Sequence, residues 1–153
     1  MGCDIHSYME IRGKDLNWHA VRGGYRYYNP KWGDEEGPTC LSWVSSSRDY
    51  SSFGRLAGVR RHIEGLGPLD EPRGLPDDVS LDIQEESDEY GIGGHSHSFF
   101  TLAELLEHDW SKTEMYDGEE YPLFGLVQEV INDLTERAVF GPEDARFVFW
   151  FDN

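Results

Sequence analysis

The chain has 153 residues, of which 30 are acidic and 13 are Lys or Arg, so its formal net charge at pH 7 is -17. A surface this negative repels a phosphate backbone and excludes a conventional binder of duplex nucleic acid. With 38% hydrophobic and 14% aromatic residues, the chain is apolar and long enough for a single folded domain over residues 1–153.

The first predicted element is a strand over residues 3–12, where side chains alternate between two faces. Asp4 and His6 share the more polar face, and Cys3 lies on the opposite, buried face. A turn and a returning strand over 18–22 complete a predicted hairpin.

Residues 23–47 are rich in Gly, Pro, Ser and aromatic residues and indicate a long loop. Its aromatic residues either stack on a nucleobase or form a small separate core: Tyr27, Tyr28, Trp32 and Trp43.

Helical patterns occupy the middle of the chain. A helix begins near Tyr50, with Ser47 or Asp49 as its cap, and a short acidic helix is predicted over 77–86. Thr101 and Glu104 form a capping box ahead of a helix over about 102–109. Residues 111–122 are predicted to be a polar loop, and an apolar stripe over 123–134 predicts another helix.

The last predicted element is a strand over 146–151, a continuous apolar and aromatic run that suits burial on both faces. Strands at both ends with helices between them predict an α+β (or α/β) fold. In this fold the N-terminal hairpin and the C-terminal strand share a small central sheet, and the helices pack against it.

The most concentrated polar groups predict a metal site. Asp4 with His6, and His95 with His97, are two pairs that share a strand face if each segment is regular. Carboxylate and imidazole ligands suit zinc, manganese or iron. In this hypothesis the four side chains hold a divalent metal, and Asp4 and His6 are the catalytic residues that activate a bound water.

A second candidate site is an arginine cluster. Arg48 and Arg60 lie in a stretch that is locally basic, and the rigid turn Glu71-Pro72-Arg73-Gly74 presents a further arginine. We expect Arg48, Arg60, Glu71 and Arg73 to bind a small anionic ligand, because guanidinium groups recognise phosphate and carboxylate oxygens. The alternative is that acids elsewhere in the fold neutralise these arginines.

Five blocks of the sequence resemble a family of small, uncharacterised proteins of bacteriophages and bacteria. The family opens with Gly-Cys-Asp-Ile-His, as residues 2–6 do here, and closes with Phe-Trp-Phe-Asp-Asn, as residues 149–153 do. Between them lie the matching blocks 48–60, 71–76 and 95–106, in the same order. The resemblance implies a phage-related origin and supplies no activity. Phe99 stands where a tryptophan is expected.

These observations leave three functional hypotheses. The first is a metal-dependent hydrolase of a phosphorylated or nucleotide-like small molecule. The second is a non-catalytic counter-defence protein that sequesters a nucleotide-like signalling molecule. The third is an acidic protein-interaction module that uses residues 70–89, where nine acids accompany one base. The two cysteines, the short apolar runs and the absence of a signal-peptide pattern predict a cytoplasmic location, away from membranes. The resemblance to a phage and bacterial family implies that this is the cytoplasm of a bacterial host.

Overall fold

The computed structural model describes residues 2–22, 44, 48–60 and 62–153. Most of the predicted aromatic loop, including Tyr27, Tyr28, Trp32 and Trp43, therefore lies outside the described residues. The strands in the described part of the chain are β1 (Asp4–Arg12), β2 (Trp18–Ala20), β3 (His95–Thr101), β4 (Thr113–Tyr116), β5 (Glu119–Pro122) and β6 (Ala145–Asp152). The helices in the same ranges are α1 (Tyr50–Ala57), α2 (Leu81–Tyr90), α3 (Leu102–Leu106) and α4 (Gly125–Arg137).

Within these ranges, a four-stranded antiparallel sheet has the order β2-β1-β6-β3. The N-terminal hairpin and the C-terminal strand are both part of it, and the helices pack against it, so the predicted α+β fold is confirmed. Strand β6 pairs with β1 on one side and β3 on the other, and its residues 145–151 are all buried. The predicted burial of this strand on both faces is also confirmed.

The two faces of the sheet support different cores. Helices α1, α3 and α4 cover the face that carries Phe147, Phe149 and Phe151 of β6. Helix α2 covers the other face, where its buried Ile83 packs with Trp150. This second, smaller core adjoins the polar side chains of β1.

Helices α1 and α3 begin at residues whose side chains cap them. Asp49 caps α1, its carboxylate accepting from the backbone N–H of Ser52 at 3.0 Å, and Thr101 with Glu104 forms the predicted capping box of α3. Helix α2 begins at Leu81, four residues later than predicted, because the chain turns over 77–78, where the N–H of Val79 donates to the carbonyl of Pro76, and the N–H of Ser80 donates to Glu10. Helix α3 is shorter than predicted and ends at Leu106.

The prediction of a polar loop over 111–122 is wrong, because β4 and β5 form a separate hairpin there. Its turn contains Asp117 and Gly118, both with positive φ (50° and 78°). An Asp-Gly pair with two positive φ values is the sequence signature of a tight hairpin turn. All eight strand residues are exposed, so no apolar alternation marks the two strands in the sequence.

A charged cluster lies inside the sheet at the β1–β6 pairing. Glu10 is fully buried and faces Arg146, whose Nε donates to Glu10 Oε2 at 2.6 Å. Arg146 Nη1 donates to Asp78 Oδ1 at 2.7 Å, and the guanidinium lies 3.9 Å from the centre of the Trp18 ring. The backbone N–H of Ser80 donates to the other Glu10 oxygen at 2.8 Å. The cluster joins both central strands to the segment that precedes α2.

In the described ranges, no helix combines the length and the apolar character that a membrane span requires.

Candidate functional site

Three rings form a row across the central strands on the face that α2 covers. His6 of β1 is directly opposite Trp150 of β6, and their ring centroids are 5.8 Å apart. His97 of β3 stacks on the other side of Trp150, with centroids 5.6 Å apart and planes 19° apart. Tyr90, the last residue of α2, covers the row and has its ring centroid 4.1 Å from that of His6.

A bulge separates the two histidines of the 95–97 segment. The pairing of β3 with β6 shifts between His95 and Ser98, and Ser96 has a positive φ of 53°. The ring of His95 therefore stacks on Phe151, on the α1 side of the sheet, while His97 stacks on Trp150 on the α2 side. The expectation that His95 and His97 share a face is wrong, because it assumed a regular strand.

His95 instead approaches Cys3. Its Nε2 lies 4.0 Å from the Cys3 sulfur, and its Nδ1 lies 3.0 Å from the hydroxyl of Ser96. Cys3 is fully buried, as predicted for a small packing residue on the face opposite Asp4.

Asp4 forms an ion pair with Arg48 at the protein surface. Its Oδ1 accepts from Nε and Nη2 of Arg48 at 2.9 and 2.5 Å, and its side chain is 61% exposed. Gly2 makes room for this pair, since a Cβ at that position would lie 2.1 Å from Arg48 Nη1. Asp4, His6, His95 and His97 thus lack the common face on which the four-residue metal hypothesis depends. In residues 2–22, 44, 48–60 and 62–153, no group of three or more His, Cys, Asp or Glu side chains is arranged to hold a metal ion.

His6 has a carboxylate neighbour that the sequence alone did not assign to it. Its Nε2 lies 3.5 Å from Oδ2 of Asp152, at the end of β6, and both side chains are mostly covered. Asp152 is therefore more enclosed than a carboxylate near a chain end is expected to be.

The predicted arginine cluster does not converge. Arg73 donates through Nε to Asp70 and through Nη1 to the carbonyl of Phe99, and its Nη1 also lies 2.8 Å from Glu104. Arg60 Nη2 donates to Asn153 at 3.2 Å. The side chain of Glu71 is exposed. Arg48 and Arg73 are thus neutralised by carboxylates, which is the alternative raised for them from the sequence.

A surface cavity of about 350 Å³ lies beside His97. In it, the hydroxyl of Ser87 and Nε2 of His97 are hydrogen-bonded at 2.8 Å. Ser87 is on the last full turn of α2 and is only 7% exposed. The cavity is lined by Gly74, Leu75, Ser87, Asp88, Gly91 and His97. Only His97 of these residues belongs to the site predicted from the sequence.

Two buried nitrogens in the ring row have no hydrogen-bond partner within the described part of the chain: Nε1 of Trp150 and Nε2 of His6. Buried donors and acceptors are normally paired, and an unpaired one costs about 1–3 kcal/mol. Trp150 is fully buried and contacts the His97 ring that lines the cavity. The Trp150 N–H is therefore an unused donor one ring away from the cavity, whereas His6 Nε2 lies beside the carboxylate of Asp152.

The charge around the cavity is negative. Helix α2 carries five acids and no base, and its C-terminal end, which carries the negative end of the helix dipole, adjoins the cavity. Asp88 lines the cavity, and Glu86 accepts from the Tyr8 hydroxyl at 3.0 Å. The surroundings of His97 therefore disfavour an anionic ligand and favour a neutral or cationic one.

Burial lowers the pKa of the His97 imidazole below its ordinary value, and the nearby His95 lowers it further. The unfolded chain binds a proton at this histidine near pH 6.5, whereas the folded protein binds it only at lower pH. Between these two pKa values the unfolded state holds more protons, so the free energy of unfolding rises with pH. We expect chemical denaturation of His97→Gln at a series of pH values to show a weaker rise than the wild type in the window below about pH 6.5.

The exposed His108 supplies the matched control for this measurement. His108→Gln should keep the wild-type slope. An equal slope in the wild type and His97→Gln would contradict the prediction.

Ser87 and Trp150 are the site residues that sequence reasoning missed. Ser87 lies ten residues from His97 on a different element, and no local spacing connects them. The signal for Trp150 was available, because it is the residue of the buried C-terminal strand directly opposite His6 once β1 and β6 are paired. The chain matches no protein-family model, no curated protein and no solved structure.

Proposed function

We propose that this protein binds a small neutral or cationic molecule in the cavity beside His97 and hydrolyses it, with His97 as the general base. The observation that carries the proposal is the 2.8 Å hydrogen bond between a cavity hydroxyl and the Nε2 atom of a partly buried imidazole. A lowered pKa keeps the imidazole neutral at pH 7, and in the tautomer that carries its proton on Nδ1 the Nε2 atom accepts a proton from the hydroxyl. A general base in hydrolysis must accept a proton from the attacking hydroxyl or water.

The proposal keeps the hydrolase class inferred from the sequence and replaces the metal-activated water predicted at Asp4 and His6 by a general base, His97. Asp4 is engaged by Arg48, and His6 lies beside Asp152, away from the residues that line the cavity. The proposed steps need no bound metal. The resemblance to a phage and bacterial family supplies no activity, so the proposal rests on the geometry of the cavity.

Sequestration without turnover is the second candidate. The unpartnered Nε1 of Trp150 supports it. This nitrogen is buried and does not line the cavity, so a ligand that moves the His97 ring and accepts a hydrogen bond from Nε1 would stabilise a complex whether or not a bond is broken. The two candidates share a site and differ in whether the ligand is recovered intact.

The test uses the indole N–H resonances of the protein labelled with nitrogen-15. We expect a small ligand to shift the Trp150 resonance, assigned with Trp150→Phe, and to leave two internal controls in place. These are Trp18, whose Nε1 donates to Asp78, and Trp110, whose Nε1 donates to the carbonyl of Leu105. The probes are p-nitrophenyl acetate, acetylcholine, p-nitrophenyl phosphate and AMP, which span neutral, cationic and anionic chemistry.

The same probes are then followed for product. We expect hydrolysis of a neutral or cationic probe, with His97→Gln about 100-fold slower or worse and His108→Gln unchanged. A saturable Trp150 shift with the probe intact would establish sequestration in place of hydrolysis. No shift at Trp150 and no product with any probe would overturn the proposal.

A further inference from the structure

We infer that Ser87 is the nucleophile of this site and that its substrate is a carboxylic ester. This inference rests on the proposed function and goes further by naming a covalent step. A serine hydroxyl is a weak nucleophile unless a base within about 2.6–3.2 Å accepts its proton. The Ser87 hydroxyl and His97 Nε2 meet this condition at 2.8 Å, and both residues line the cavity.

The surrounding fold holds the imidazole in place. His97 stacks on the fully buried Trp150, and its carbonyl accepts from the backbone N–H of Gly74 at 2.8 Å. The left-handed backbone of Ser96 directs His97 onto the α2 side of the sheet. Gly94 lets the backbone pass close to the side chains of Tyr90 and His97, since a Cβ there would lie 3.2 Å from Tyr90 Cβ and 3.4 Å from His97 Cε1.

The position of Ser87 is fixed independently. It lies on α2, which is anchored by the fully buried Ile83 one turn earlier. The hydrogen bond therefore joins a helix to a strand that are each held by their own packing. A pair fixed in this way keeps the geometry that proton transfer needs.

The reaction balances with water as the only co-reactant. Ser87 Oγ forms a bond to the carbonyl carbon while its proton moves to His97 Nε2, and the bond from that carbon to the alkoxy oxygen breaks. The leaving alkoxide takes the proton from His97 and departs as an alcohol. Water then attacks the acyl group on Ser87, giving its proton to His97, and the acid leaves as Oγ recovers that proton.

The charges favour a carboxylic ester over a phosphate ester. Asp88 lines the cavity, and none of the arginines predicted to bind phosphate does: Arg48 and Arg73 are paired with carboxylates, and Arg60 donates to Asn153. A neutral carbonyl group is not repelled by this surface, whereas a phosphate dianion is.

The experiment is labelling with a fluorophosphonate, which reacts with activated serines as Oγ bonds to phosphorus and fluoride leaves. The labelled site is mapped by peptide mass spectrometry on the full chain. We expect a single adduct on Ser87 in the wild type, no adduct in Ser87→Ala, and labelling of His97→Gln slower by about 100-fold or more. Ser80→Ala is the matched control, since Ser80 lies at the N-cap position of the same helix, is 8% exposed and does not line the cavity. It should label as the wild type does.

The adduct is mapped to Ser87 directly in the wild-type protein. The result can therefore be interpreted even if Ser87→Ala fails to fold. No adduct on Ser87, together with ester hydrolysis that depends on His97, would overturn the covalent step and leave the proposed function standing. No adduct, no Trp150 shift and no hydrolysis would overturn both. An adduct on Ser87 that forms equally fast in His97→Gln would show that the hydrogen bond serves packing alone.

Discussion

Arg146→Leu is expected to lower the free energy of unfolding by about 3–5 kcal/mol. The substitution leaves Glu10 fully buried with its Oε2 unpaired, and it removes the bond from Arg146 to Asp78 and the contact of the guanidinium with Trp18. A buried carboxylate without its partner is strongly penalised, because the surrounding protein does not replace the water it lost. Urea denaturation measures the loss.

The matched control is Arg137→Leu. Arg137 also donates to an acid, Asp133, at 2.8 Å, but on the surface of α4 with both side chains about 40% exposed (43% and 41%). An exposed pair of this kind contributes about 0.3–0.5 kcal/mol, so the control should change little. A double variant, Glu10→Leu with Arg146→Leu, should recover part of the loss, since no unpaired charge stays buried. A loss below about 1 kcal/mol in Arg146→Leu alone would contradict the assigned role of the pair.

The elements predicted correctly are those whose signals are local. The alternation of residues 3–12 places apolar side chains at the period of a strand, and β1 forms there. The aromatic run that ends the chain lies between two partners, as its lack of polar alternation requires. Thr101 and Glu104 bond to each other's backbone, so a helix begins at Leu102.

The parts that were missed depend on residues far apart in sequence. Glu10 and Arg146 are 136 positions apart, and the hydrophobic pattern of β1 gave no sign that its glutamate would be fully buried. The bulge at Ser96 reverses the side of the sheet that one histidine faces, although the sequence His-Ser-His reads as regular alternation. One residue of shift moves a side chain to the opposite core, so a site inferred from strand period is sensitive to a single irregularity.

The candidate site was also only partly predictable, because its contacts join residues that are far apart in sequence. His6 and His97 were identified from their chemistry, and the structure places both rings against Trp150. Their polar neighbours were not identified, because Asp152 and Ser87 come from other elements. The residue types in a strand indicate that one of its faces is polar. The hydrogen-bond and ion-pair partners of each polar side chain are set by the tertiary fold.

Trp150→Ala is expected to lower the free energy of unfolding by about 3–5 kcal/mol and to abolish ligand binding. Trp150 is fully buried in the smaller core and contacts the rings of His6, Tyr8, Tyr90 and His97, so its removal opens a cavity at the centre of the ring row. Thermal or urea unfolding measures the stability, and probe binding measures the site. Phe140→Ala is the control, because Phe140 is 55% exposed and its truncation should change stability by at most about 0.5 kcal/mol.

Trp150→Phe separates the two roles of this residue. The phenyl ring retains part of the aromatic packing and removes three heavy atoms of the indole, among them Nε1, which makes no hydrogen bond to any described residue. Stability should fall less than in Trp150→Ala, since a smaller cavity is left and the lost donor was unsatisfied in the folded protein. If a bound ligand accepts a hydrogen bond from Nε1, affinity should fall by about 0.5–1.5 kcal/mol in the phenylalanine variant. An unchanged affinity would mean that the ligand contacts His97 and the cavity wall without reaching the indole, and an equal loss of stability in both variants would contradict the expectation that the phenyl ring retains part of the packing.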